Sequence, residues 1–138
     1  MKIRIIGGAA AIVLGLLVAL GPQFLFKVCE PTPTLLHTNG NFMKCHWTAQ
    51  AEVGVGLLIT ALGIALTIFA SPKTRLGLVI GILFSGVLAL LIPHVLIGGC
   101  GADTMTCRKV AFPAITVISI LLLIGGSFYA VYLARKKE

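Results

Sequence analysis

Charged residues fall in clusters along the chain, and long apolar runs separate the clusters. Arg4 and Lys27 bracket 22 uncharged residues, Ile5–Phe26, and Glu52 and Lys73 bracket 20, Val53–Pro72. Arg75 and Asp103 bracket 27, Leu76–Ala102, and Lys109 and Arg135 bracket 25, Val110–Ala134. A helix needs roughly 20 mostly apolar residues to cross a ~30 Å hydrocarbon core. Four gaps therefore predict four spanning helices, over about 5–26, 52–70, 76–97 and 110–134. Lipid admits only helices and closed barrels, and continuous apolar runs read as helices rather than strands. The expected fold is an all-α, four-helix transmembrane bundle. The runs take up 94 of 138 residues, so 1–138 reads as a single integral membrane domain.

Composition agrees with the pattern. Hydrophobic residues make up 58% of the chain and charged residues 11%, against about 25% charged in soluble domains. So few charges exclude an ordinary soluble domain and a disordered chain. The first run, preceded by Lys2 and Arg4, has the look of a signal peptide. It is expected to stay as a span. Its apolar stretch outlasts a usual signal core and runs past Pro22 into Phe24-Leu25-Phe26, and the small residues near Ala19-Leu20-Gly21 do not fit a cleavage site.

Four spans put both termini on one side. The flanks there hold Lys2, Arg4, Lys73, Arg75, Arg135, Lys136 and Lys137, and the other side holds Lys27, Lys44, Arg108 and Lys109. Basic residues favour the cytoplasmic face, which predicts a plasma (inner) membrane protein with both termini cytoplasmic. The net charge of +7 is then mainly an orientation signal, with contact to anionic lipid. No basic stripe interleaved with aromatics points to nucleic acid. Cys29, Cys45, Cys100 and Cys107 all fall in the outer loops, about 27–51 and 98–109. An even number on an oxidising face suggests two disulfides stapling an extracytoplasmic cap, with three connectivities open.

A shift of 71 residues superimposes Arg4, Gly15, Pro22 and Cys29 on Arg75, Gly86, Pro93 and Cys100. Both halves read R-x10-G-x6-P-x6-C, and each carries Met-x-Cys before its next helix, at Met43 and Met105. The bundle is expected to be two parallel two-helix repeats about an axis along the membrane normal. Small residues recur every four positions: Gly7, Ala11, Gly15 and Ala19 on the first helix, and Gly77, Gly81, Ser85 and Ala89 on the third. Such ridges allow close backbone approach in lipid, within the bundle or across a homo-oligomer face.

The most unusual stretch is Met43–Glu52, MKCHWTAQAE. Thr48 suits an N-cap, which would put Glu52 in the first helical turn. Trp47 suits an interfacial anchor. Near-membrane carboxylates are functional candidates by default, so Glu52 is one, with His46, Trp47 and Gln50 beside it. His94, after Pro93, is a titratable group in a long apolar run. The outward-facing thiols and imidazoles would suit zinc or copper(I), but no ligand spacing supports a metal site and no cofactor is expected. Two outer cysteine pairs on four helices are similar in outline to the vitamin K epoxide reductase type, whose chemistry uses a C-x-x-C that this chain lacks.

Gly21-Pro22-Gln23-Phe24 with Cys29, the run Met43–Glu52, Leu96-Ile97-Gly98-Gly99-Cys100, and Met105-x-Cys107 with Pro113 together resemble the bacterial membrane-protein family described as domain of unknown function 4418. The resemblance covers nearly the whole chain. It implies four spans, a bacterial source and no established activity, and it implies company with ABC transporters whose permeases are of FtsX or MacB type. The leading expectation is a non-enzymatic accessory or stabilising subunit of a membrane transport assembly, in contact with lipid and a permease. The alternatives are a membrane thiol–disulfide oxidoreductase using the outer cysteines, and a metal or small-ligand carrier.

Overall fold

A computed structural model of the chain describes residues 2–25, 44–97 and 107–136. Among these residues the structure is helical throughout, apart from one short connection and Ile97, and contains no strand. The four helices are α1 (Lys2–Leu20), α2 (Lys44–Ile68), α3 (Pro72–Leu91) and α4 (Phe112–Lys136). Each belongs to a segment long and apolar enough to cross a membrane: Ile5–Phe24, Trp47–Ile68, Pro72–Leu96 and Lys109–Lys136.

The second helix starts earlier than its sequence suggests. Thr48 lies inside α2 rather than at its cap, and Glu52 stands more than two turns in rather than in the first. The reason is that Lys44–Gln50 contains no helix breaker, so the helix runs on past the edge of the apolar stretch. Between α2 and α3 only Phe69, Ala70 and Ser71 intervene. Ser71 is extended (φ −65°, ψ 125°) and Pro72 opens α3 at its first position, where the missing N–H costs nothing.

Contacts run in opposite senses along neighbouring helices. Ala19 meets Gly56, Gly15 meets Thr60, Ile12 meets Gly63, and Gly8 meets Thr67, so α1 and α2 are antiparallel. Likewise Gly86 meets Leu122, Leu83 meets Gly126, and His94 meets Thr116, so α3 and α4 are antiparallel. α2 packs on α3, and α1 touches α4, closing a four-membered ring with the chain ends and the α2–α3 connection at one end. The core is mostly apolar, with Val18, Ile59, Leu66, Val79 and Ala89 among its most buried side chains.

The α1–α2 seam is the tightest. A Cβ on Gly15 would lie 2.8 Å from Thr60 N, and one on Gly56 would lie 2.7 Å from Ala19 Cα and from Gly15 O. Gly8 against Thr67 and Gly63 against Ile12 continue the seam. Lipid gives helices no hydrophobic reason to associate, so close backbone packing of this kind carries the interaction. Two hydroxyls on the spans turn back to their own helices: Thr60 Oγ1 donates to Gly56 O (2.8 Å) and Ser85 Oγ to Gly81 O (2.9 Å).

Two helices end in wider turns. π-helical segments follow α1 at Gly21–Leu25 and α3 at Ile92–Leu96, and each contains a proline at its second position. Proline has no N–H to continue the i to i−4 ladder, and the chain widens locally. After Pro93 the Ile97 N–H reaches back five residues to Ile92 O at 3.0 Å. A third π-helical segment, Cys107–Ala111, leads into α4.

Candidate functional site

Thr48, Glu52, Val55, Ile59 and Leu66 all lie on the buried face of α2. Helical periodicity places the carboxyl on that stripe: three- and four-residue steps bring the same face inward. Glu52 is 0% exposed, and neither carboxylate oxygen has a hydrogen-bond partner among the described residues. From the Ala19–Gly56 contact, one turn onward along each helix brings Glu52 level with Gln23, at the π-helical turn after α1. α2 also packs against the turn that carries Pro93. The carboxyl therefore occupies the part of the bundle where both prolines interrupt the ladder. Isolated buried charge costs several kcal/mol in effective terms. Such a position is suited to a hydrogen-bond donor, a proton or a cation.

The other members of the Met43–Glu52 stretch do not converge on this point. Trp47 is 58% exposed and Gln50 is exposed, both facing away from the bundle interior. His46 lies in the first turn of α2, and its side chain is outside the description. The turn at Pro93 holds a second polar group. His94 is exposed and its Nε2 lies 2.9 Å from Thr116 Oγ1, while its ring meets Phe112 edge-on with centroids 6.1 Å apart. Thr116 gives its one hydroxyl proton to Phe112 O at 2.8 Å. His94 Nε2 is therefore the N–H donor to Thr116, and the contact ties the outgoing end of α3 to the start of α4.

Cys45 and Cys107 stand in the first turns of α2 and of the π-helical segment before α4. Cys29 and Cys100, and with them the expected disulfides, lie outside the described residues. Among the described residues no three of His, Cys, Asp and Glu gather as a metal would require.

The small-residue ridges divide. Ala11, Gly15 and Ala19 are buried toward α2, whereas a Cβ on Gly7 would meet the Tyr129 ring of α4 at 3.0 Å. On α3, Ser85 and Ala89 are buried, Gly81 lies against Leu62 of α2, and Gly77 has open space around it. Four-residue spacing did not single out Gly8, Gly56 and Gly63, which share the α1–α2 seam. A seven-residue interval on both helices, Gly8 to Gly15 and Gly56 to Gly63, was the available signal. It matches the 3.5-residue repeat that keeps two crossing helices in contact.

A cavity of about 360 Å³ lies between α1 and α4 near the end carrying the termini. The buried stripe of α4 runs through Ile115, Ser119 and Leu122, then lapses until Leu133. The cavity occupies that gap, lined there by Gly125, Gly126 and Tyr129.

Comparison with curated proteins and with solved structures returns no match. The family described as Domain of unknown function (DUF4418) matches residues 11–133, which takes in all four spans. The chain belongs to that family.

Proposed function

We propose that the protein is a non-enzymatic, four-span subunit of a membrane transport assembly, with a permease as its partner. The observation that carries the reading is Glu52, a fully buried carboxyl on a membrane-spanning helix without a partner among the described residues. Intramembrane carboxyls mark ion and proton pathways and helix–helix contacts. The family resemblance supplies the partner class, a permease of the FtsX or MacB type in an ABC transporter.

The reading places both termini in the cytoplasm, in line with the bias of Lys and Arg toward that end. It includes a disulfide-stapled outer cap. Cys45 and Cys107 at the starts of their helices, both at the end away from the termini, support that cap. It also includes descent from a duplicated helix pair. The two proline-bearing π-helical turns, Gly21–Leu25 and Ile92–Leu96, come 71 positions apart, the same shift that aligns the sequence motif.

Affinity purification from the native membrane in mild detergent, with mass spectrometry, tests the partner. Recovery of an FtsX- or MacB-type permease with the wild-type chain is expected, and its loss with Glu52→Gln. Recovery of the chain alone overturns the reading. Thiol alkylation of the same sample tests the cap: four fully oxidised, inert cysteines are expected, whereas a pair that cycles with added quinone favours the oxidoreductase alternative.

A further inference from the structure

We infer that the cleft between α1 and α4 holds one acyl chain of an anionic phospholipid, with its phosphate at the basic end of the bundle. The floor of the cleft is buried and apolar, formed by Ala11, Leu66, Val79, Ile82 and Leu122. Its rims are open: Ile6 on α1 is 65% exposed and Phe128 on α4 is 75% exposed. The cleft therefore faces sideways, into the membrane.

Its length fits one leaflet. It follows α1 from Ile3 to Leu14, a rise of about 16 Å at 1.5 Å per residue. That is about half of a ~30 Å hydrocarbon core. Its volume of about 360 Å³ suits a chain one methylene wide. A helix about 10–12 Å across running the same distance would need several times that space.

Charge complementarity names the headgroup. Lys2 lies one helical turn before Ile6, and Lys136 one turn beyond Tyr132, each on the same face as its rim residue. Both lysines are exposed. Arg75 lies over the Tyr129 ring, 5.5 Å from its centroid, and Tyr129 lines the cleft. The Tyr129 hydroxyl is buried and has no partner among the described residues. A phosphate at the level of Lys2 and Lys136 would meet cations on both α1 and α4.

Native mass spectrometry on the full chain, released from mixed micelles of phosphatidylglycerol and phosphatidylcholine with matched acyl chains, tests the inference. One retained lipid per chain is expected, with phosphatidylglycerol preferred by about tenfold or more. Gly125 lines the cleft, and a Cβ there meets nothing within 4 Å, so Gly125→Leu can enter the space with no steric conflict at its Cβ. Ala10→Leu fills it from the opposite rim and serves where the first variant does not fold. Retention should fall about tenfold or more in either variant, while elution volume stays that of the wild type. The Lys2→Ala/Lys136→Ala double variant should keep a lipid and lose the headgroup preference. Equal retention of the two lipids by the wild type overturns the inference. So does unchanged phosphatidylglycerol retention in the folded filled-cleft variants.

Discussion

At the scale of single residues, two glycines on one helix have opposite meanings. Gly56 has backbone where its Cβ would go, 2.7 Å from Ala19 Cα, while Gly54 has open space. Gly56→Ala should therefore destabilise the protein by about 1–3 kcal/mol, because neither helix can retreat without opening the seam. Gly54→Ala should be neutral or stabilise by up to about 1 kcal/mol, from helix propensity alone. Thermal unfolding midpoints in detergent separate the two. Glu52 allows a sharper separation of stability from function. A buried carboxyl with no partner among the described residues does little for the fold. Glu52→Leu should leave the unfolding midpoint unchanged or raised, whereas the proposed function has it abolish recovery of a permease. Between α3 and α4, Thr116→Val removes the acceptor for His94 Nε2 and should cost about 0.5–1.5 kcal/mol. Nitrogen NMR of the imidazole should show an Nε2–H tautomer in the wild type and a mixture in the variant. The candidate status of Glu52 was legible from its place at the head of an apolar run. Its depth was not, since Lys44, His46, Thr48 and Gln50 break up the apolar pattern and conceal how far the helix extends.

Among the elements, the π-helical turns and α4 stand out. Each turn places a proline at the end of a long helix and leaves α2 packed against a widened ladder. Pro93→Ala restores the missing N–H donor. The segment from Ala89 to Ile97 should then revert toward an ordinary α-helix, and its amides should exchange more slowly in hydrogen-exchange mass spectrometry. The number, order and approximate limits of the helices were legible because lipid enforces one simple pattern: a run of about 20 apolar residues, then charge. That same uniformity hid how the helices face one another. Every side of an apolar span is hydrophobic, so periodicity cannot report the inward stripe, and glycine spacing is the remaining clue. It marks positions of close approach, Gly15 against Thr60 and Gly7 against the Tyr129 ring, but does not say which helix each one faces, and it carries no sign of the gap along α4.

On the scale of the whole molecule, the ring of helices is uneven. α1 and α2 share a long glycine seam, whereas α4 buries the smallest share of its span. This unevenness sets an order of events during synthesis. Both partners of the seam precede Ser71, so the α1–α2 hairpin can close in the membrane before α3 and α4 leave the ribosome. The last helix then docks against a finished surface that fits it only in part. Damage to the seam should accordingly act early, as degradation of nascent chains seen by pulse labelling, and damage along α4 should act late, on a hairpin already in place.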